Sequence, residues 1–142
     1  MISYKFRGRQ RKTGEWLEGD LIHFCHDVMI LPLEADWFDF VPRKDNPFRL
    51  PSDEFAVDPE TVGQFSTLKD KNGRDIFAGD ILAAQGVEEK LEVRLVRGVF
   101  AFLWNGNLDD EFPTGSPTHE WAEVVGNIHD NPELMKGGKN ED

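Results

Sequence analysis

Residues 62–82 read VGQFSTLKDKNGRDIFAGDIL, and this stretch decides the fold class. Two apolar runs flank Asn72 and Gly73, and Asn-Gly between such runs is the strongest short-range signal for a β-hairpin with a type I′ turn. The second run is broken at Gly79 and Asp80, where glycine inside a strand pattern predicts a bulge or a sharp bend. The stretch therefore predicts a small, curved β-domain.

An earlier part of the chain repeats this arrangement. Residues 12–22 resemble residues 71–82 once one residue is inserted, and both segments read as a turn, an apolar pair, a Gly-Asp bend and a second apolar pair. We interpret the two segments as one supersecondary motif used twice. Two unrelated hairpins that use the same kinds of turn residue explain the likeness equally well. The predicted structural turns are Gly14, Gly19, Asp20, Asn72, Gly73, Gly79 and Asp80.

Further strands are predicted from hydrophobic periodicity. Residues 2–7 alternate, which places Ser3, Lys5 and Arg7 in water and the intervening Ile2, Tyr4 and Phe6 in the core. Residues 91–96 also alternate, with Leu91, Val93 and Leu95 directed inward. Residues 99–104, VFAFLW, are apolar on both faces and predict a central strand that is covered on both sides. Short strands are likewise predicted at residues 28–31 and 121–128.

The domain organisation follows from the prolines between residues 42 and 59, which mark a long irregular connection. We predict an N-terminal β sub-lobe with this connection over residues 1–56, a β-barrel over residues 57–135, and a disordered tail over residues 136–142. Little helix is expected. A helix start or tight turn is predicted at Asp58-Pro59, and one helical turn after Asn131-Pro132.

Composition limits the compartment and the partners. The single cysteine, Cys25, excludes an internal disulfide and fits a reducing compartment. No signal peptide or membrane-spanning run is predicted, so we expect a cytoplasmic protein with no membrane contact. The formal net charge of −11 disfavours nucleic acid as a partner of the whole surface, since phosphates would be repelled.

Residues 1–13 are the exception, because they carry five basic side chains and no acid. If nucleic acid is bound, this basic strand and turn is the expected contact surface. We expect more simply a solvated strand face with a charged turn. The hypothetical binding residues are Lys5, Arg7, Arg9, Arg11 and Lys12.

No catalytic constellation and no metal site is predicted. His23, Cys25 and His26 are close in sequence, but a strand would place His26 on the opposite face from the other two. Acids and histidines in the loops leave a metal-dependent hydrolase open as an alternative. The residues concerned are Asp36, Asp39, Asp109, Asp110, His119 and His129. No cofactor is expected.

Several stretches together resemble one known family, the YopX-like proteins of bacteriophages and prophages. They are KFRG at residues 5–8, GEW at 14–16, GDL at 19–21, VDPETVGQF at 57–65, LKDKNG at 68–73, IFAGDI at 76–81 and EVVGNIHDNPEL at 123–134. The family pattern more often has Thr-Gly where this chain has Ser66-Thr67, so the bend before Leu68 is expected to differ. The resemblance implies an all-β protein with an SH3-like barrel in the C-terminal half, and it transfers no active site.

These observations lead to a non-enzymatic interaction module that binds a protein partner or itself. Nucleic-acid binding through the basic N-terminal strand and turn, and metal-dependent hydrolysis, are the alternatives. We also expect a homo-oligomer at micromolar concentration, because several aromatic side chains lie in or near predicted loops. These aromatic residues are Trp37, Phe38, Phe40 and Phe112.

Overall fold

The computed structural model describes residues 4–24, 27–32, 55–108, 111 and 117–136. The chain forms two compact units, residues 1–64 and residues 65–142. Antiparallel strands dominate the described part of both units, and the helices there are short. The predicted all-β class is confirmed. The segment 137–142 of the expected tail, and the aromatic residues at positions 37, 38, 40 and 112, lie outside the described residues.

The first unit is built on three antiparallel strands in the order β3-β2-β1. They are β1 (Phe6–Arg9), β2 (Trp16–Phe24) and β3 (Asp27–Pro32). A fourth strand, β4 (Gly63–Lys69), begins in this unit, where its first two residues pair with β1. Met29, Ile30 and Val57 are fully buried here. Each such side chain contributes roughly 1.5–3 kcal/mol relative to its exposed form.

Gly19 lies in the middle of β2, with Phe6 opposite on one side and Pro32 on the other. The bend predicted at Gly19-Asp20 is absent, since the strand continues without interruption from Trp16 to Phe24. A Cβ atom at Gly19 would clash with the carbonyl oxygen of Leu31. Glycine is therefore required at position 19 because the neighbouring strand approaches closely, and not because the chain turns there. Residues 12–22 and 71–82 thus do not share one supersecondary motif.

Residues 57–64 also belong to the first unit, whereas we assigned them to the barrel. The amide of Val57 donates to the carbonyl of Val28 at 3.0 Å, and the amide of Asp58 donates to the carbonyl of Arg9 at 3.0 Å. A 3-10 turn follows at Pro59–Thr61, as predicted, but the carboxylate of Asp58 does not cap it. The carbonyl of Asp58 accepts the Thr61 hydroxyl instead, at 2.6 Å.

The second unit contains a four-stranded antiparallel sheet in the order β8-β7-β6-β9, and β5 pairs with β4. The strands are β5 (Asp75–Phe77), β6 (Asp80–Ala84), β7 (Leu91–Val96), β8 (Val99–Trp104) and β9 (Ala122–Asn127). Two short helices, α1 (Thr118–Trp121) and α2 (Glu133–Lys136), lie in its described part. Closure of this unit into an SH3-like barrel stays a prediction.

The core of this unit is a cluster of buried apolar side chains with half-buried aromatic residues around it. The ring of Phe102 meets that of Trp121 edge to face, with centroids 5.7 Å apart. Such a geometry adds about 0.5–1.5 kcal/mol to the burial of the two rings. The buried members of the cluster are Ile76, Leu82, Leu91, Val93, Phe102, Ala122 and Val124.

The hairpin predicted around Asn72-Gly73 is present, but its turn type is different. Only Gly73 of the pair has a positive φ, 81°, whereas a type I′ turn needs two such residues. A longer loop is closed by the amide of Asp70, which donates to the carbonyl of Arg74 at 2.8 Å. The bend at Gly79 is confirmed, with a φ of 96°. There the carboxylate of Asp80 accepts the amide of Phe77 at 2.8 Å.

Asp70 is buried, and its carboxylate accepts three backbone N–H groups at 2.8–2.9 Å, from Asn72, Arg74 and Val124. Burial alone would raise the pKa of Asp70, but these three hydrogen bonds and the charge of Arg74 hold the pKa below its usual value. One side chain thereby ties the β4–β5 loop to β9. This explains the Asp in the turn better than turn propensity alone.

Thr67 interrupts the ladder between β4 and β5. Its φ is 71°, in the left-handed region that β-branched residues rarely enter. The strand register shifts between Phe65 and Lys69, as expected for a β-bulge. The hydroxyl of Ser66 donates to the carbonyl of Ile76 at 2.7 Å and accepts the amide of Leu68 at 3.1 Å. These two bonds hold the bulge in place.

The strand predicted to be central, β8, is instead the outermost of the sheet's four strands in the described part of the chain, with an isolated bridge from Leu103 to Glu111 on its outer side. Its hairpin partner β7 takes one side, and β6 occupies the interior between β7 and β9. The inward direction predicted for Leu95 is also wrong, because this side chain is 41% exposed. Leu91 and Val93 are buried as predicted. The alternating pattern shows which side chains share a face of the sheet. At the end of this hairpin that face extends beyond the core, which leaves Leu95 exposed.

Candidate interaction surfaces

The basic surface, defined as Lys5, Arg7, Arg9, Arg11 and Lys12, is divided by the structure into a strand part and a turn part. Arg7 and Arg9 lie on β1, and alternation places both side chains on the same face of the strand. Trp16 stands directly opposite Arg9 on β2, and Glu18 stands opposite Arg7. The face therefore combines two guanidinium groups, an indole ring and one carboxylate.

Arg7 is not directed into water as predicted. It is 8% exposed, and its guanidinium carbon lies 4.9 Å from the centroid of the Trp16 ring. Tyr4, predicted to face the core, is 71% exposed and precedes the first residue of β1. A planar guanidinium stacks well on an indole face. This contact explains why the Arg7 side chain is buried although alternation assigned it to solvent.

The other basic residues differ in their accessibility. The ammonium of Lys5 lies 3.8 Å from the Glu18 carboxylate, and Arg11 lies 3.3 Å from the Asp27 carboxylate. Arg9 is half-buried with its guanidinium 5.9 Å from the Trp16 ring, whereas Lys12 is exposed. An anion would therefore meet mainly the three basic side chains nearest the turn, at positions 9, 11 and 12.

The turn that carries Arg11 and Lys12 is held by the backbone. The amide of Gln10 donates to the carbonyl of Glu15 at 2.8 Å, and the amide of Gly14 donates to the carbonyl of Gln10 at 2.9 Å. Gly14 has a φ of 79°, so the turn predicted there is confirmed. Backbone bonds of this kind present the basic side chains from a fixed loop.

A second surface, which sequence reasoning missed, is the hairpin end formed by residues 95–100. Leu95 and Val99 are 41% and 64% exposed, and Arg97 at the turn is exposed as well. Positive φ values of 52° at Arg97 and 82° at Gly98 form the two-residue turn that matches strand twist. The end of this hairpin thus presents apolar side chains and one cation on a fixed backbone. The Arg-Gly pair at the turn was the available signal.

The candidate metal and hydrolase residues are only partly described. Among residues 4–24, 27–32, 55–108, 111 and 117–136, no group of three or more His, Cys, Asp or Glu side chains could hold a metal ion. His23 and His119 are exposed, and His129 is half-buried. The other members of these sets lie outside the described residues, at positions 25, 26, 36, 39, 109 and 110. The hydrolase stays a hypothesis.

Comparison with known families now identifies the chain. A family model described as YopX protein matches residues 5–136, which is nearly the whole sequence. The chain belongs to the YopX family. The resemblance inferred from the sequence motifs is therefore confirmed for this YopX-family protein.

One solved structure similar to the YopX-family chain is that of protein EF1440 from Enterococcus faecalis. The two share 22% sequence identity, and the likeness covers 95% of this chain and 99% of EF1440 with a TM-score of 0.52. At this identity the likeness concerns the fold. No curated protein matches the chain. In the described part of the chain, no helix has the length and apolar character needed to cross a membrane.

Proposed function

We propose that this YopX-family protein is a non-enzymatic interaction module, encoded by a phage or prophage and acting in the bacterial cytoplasm. It binds a partner protein or a second copy of itself. The observation that carries the proposal is the hairpin end, where Leu95 and Val99 are exposed on opposite faces of the β7–β8 hairpin. Large apolar side chains on such a support lose little conformational freedom on binding, which favours association.

The chemistry of the hairpin end fits a protein partner better than nucleic acid. It offers apolar contact area around the single exposed cation of Arg97, whereas a phosphate backbone needs several cations. Exposed apolar side chains with few charges around them are typical of protein interfaces.

The test is affinity capture from bacteria that carry the phage, with and without nuclease. Wild-type protein is compared with a double variant, Leu95→Lys and Val99→Lys, and with the control Leu108→Lys, at a residue 59% exposed outside the hairpin end. We expect the same protein, or untagged copies of this chain, to be captured by wild type and control and lost with the double variant. Equal capture by all three proteins would falsify the assignment of this surface.

A second candidate function is nucleic-acid binding through the basic surface. It is favoured by the exposed Arg11 and Lys12 beside Arg9 and its neighbouring indole of Trp16, because cationic and aromatic groups together suit phosphates and bases. The net charge of −11 opposes it. Replacing Arg9 and Arg11 by Glu should abolish any gel shift with single-stranded DNA or RNA. An unchanged shift rules this surface out.

A further inference from the structure

We infer that two side chains, the carboxylate of Asp70 and the amide of Asn131, act as edge caps that close the outer edge of β9 to pairing with β9 of a second copy. The inference goes beyond the proposed function, because it names an edge of the sheet that a partner strand cannot use. β9 pairs with β6 on one side, and in the described part of the chain no strand lies on its other side. An edge strand presents N–H and C=O groups to which another strand can add.

The middle of this edge is covered by the loop that follows β4. The N–H group of Val124 donates to the Asp70 carboxylate at 2.9 Å, and the C=O group of Ala122 accepts the amide of Lys71 at 2.9 Å. Asp70 is 2% exposed, and its other carboxylate oxygen accepts two amides of its own loop, which fixes the position of the cap. A carboxylate oxygen thus occupies the place where a neighbouring strand would bring a carbonyl oxygen.

The carboxyl-terminal end of the edge is covered by Asn131. Its side-chain oxygen accepts the N–H group of Asn127 at 3.2 Å, and its own backbone N–H donates to the C=O group of Asn127 at 2.8 Å. Asn127 therefore exchanges two hydrogen bonds with one residue, as it would with the residue opposite it on a paired strand. Asn131 takes the place of that strand.

Gly126 shows that the space beside β9 is used by this cap. A Cβ atom at position 126 would lie 2.5 Å from the side-chain oxygen of Asn131 and 3.1 Å from its Cβ atom. Gly126 does not have a positive φ, so the approach of Asn131, and not the backbone conformation, excludes a side chain here. A buried carboxylate and a glycine that admits an amide therefore close the same edge.

A second copy of β9 is the strand that these caps exclude. An antiparallel edge can pair with its own copy about a two-fold axis. With the axis at Val124, Glu123 of one copy would lie opposite Val125 of the other, so no like charges would be opposed. Such pairing needs the N–H group of Val124, which Asp70 already binds.

The test removes the caps one at a time and then together. Asn131→Ala removes the amide, and Asp70→Asn leaves one oxygen for three N–H groups. Asn72→Ala, at an exposed asparagine in the same loop as Asp70, is the control. All variants are made in a chain that also has Leu95→Lys and Val99→Lys, so that association through the hairpin end does not contribute.

Amide hydrogen exchange in dilute solution tests each cap by itself. Asn131→Ala should speed the exchange of the Asn127 amide about fivefold or more relative to the control, because the amide loses its acceptor. Asp70→Asn should do the same for the amide of Val124. If the Asn127 amide exchanges equally in Asn131→Ala and in the control, Asn131 is not a cap and the inference is overturned.

Sedimentation equilibrium tests what the caps exclude. The double variant Asp70→Asn, Asn131→Ala should move from the 16.2 kDa monomer toward twice that mass at concentrations where the control stays monomeric. In the dimer the amides of Val124 and Asn127 should exchange slowly again, which separates strand pairing from aggregation of unfolded chains. Circular dichroism checks that the variant is folded, and sucrose is added where it is not.

A folded double variant that stays monomeric overturns the inference, and so does a dimer in which both amides still exchange rapidly. The proposed function is tested separately, by capture through an unchanged hairpin end. Failure of the edge caps therefore leaves the interaction function intact, and loss of that capture leaves the caps intact.

Discussion

Replacing Thr67 by glycine should stabilise the protein. Thr67 has a φ of 71°, and the left-handed region costs an L-residue roughly 1–2 kcal/mol, because its Cβ crowds the backbone. Glycine escapes this cost but loses about 0.5–1 kcal/mol more backbone entropy on folding. The difference predicts a gain of about 0.5–1 kcal/mol in the free energy of unfolding.

The assay is urea unfolding followed by tryptophan fluorescence, with thermal melting as a second measurement. A gain of this size should raise the melting temperature by about 2–5 °C at an unchanged urea m-value. Thr67→Ala is the first control, since it removes the branch and retains the strained Cβ, and it should recover only a minor part of the gain. Glu89→Gly, at an exposed residue without a positive φ, should destabilise. If Thr67→Gly is no more stable than wild type, the bulge stores no strain and the reasoning is refuted.

Three further substitutions test the backbone arrangement. Asp70→Asn should cost about 2–4 kcal/mol, because one amide oxygen cannot accept three buried N–H groups. The pKa of Asp70 is lowered in the folded state, so the contribution of its carboxylate to the free energy of unfolding is complete above about pH 4 and is lost as the pH falls below that value. The urea midpoints of the variant and the wild type should therefore converge in acid. Gly19→Ala should destabilise by more than about 3 kcal/mol in chemical unfolding, because its Cβ would meet the carbonyl of Leu31, and a mild effect would contradict the described strand spacing. Gly106→Ala should lower the melting temperature by several degrees, because Gly106 has a φ of 76° and a Cβ there would lie 2.6 Å from the Glu92 carboxylate; an unchanged melting curve would contradict both reasons.

Much of the local structure could be predicted from the sequence, because turns and strand periodicity depend on neighbouring residues. The hairpin around Gly73, the bend at Gly79 and the helical turn after Pro132 all have local causes in glycine or proline geometry. The predicted type of the turn at Gly73 was wrong, because the carboxylate of Asp70 accepts a hydrogen bond from the amide of Val124, which lies 54 residues away in the sequence. A local pattern contains no information about such a contact.

The candidate surfaces were less predictable for a related reason. Alternation states which side chains share a face, but it does not state which strand is outermost, so β8 was placed at the centre of the sheet. The same rule placed Arg7 in water, although its guanidinium packs on the indole of Trp16. Both errors concern lateral neighbours, which are set by pairing between distant segments. The hairpin end therefore became visible only in the folded chain.

The pairing of β6 with β9 has a consequence for protein synthesis. Asp80 pairs with Asn127, so the sheet of the second unit lacks β9 until residue 127 has left the ribosome. The strands of the first unit need nothing beyond Gln64 to complete their ladders. Nascent chains should therefore acquire protease resistance in two stages, first for the unit that ends at Gln64 and later, once β9 has emerged, for the other. Until then the unpaired side of β6 is the segment that a chaperone would need to shield.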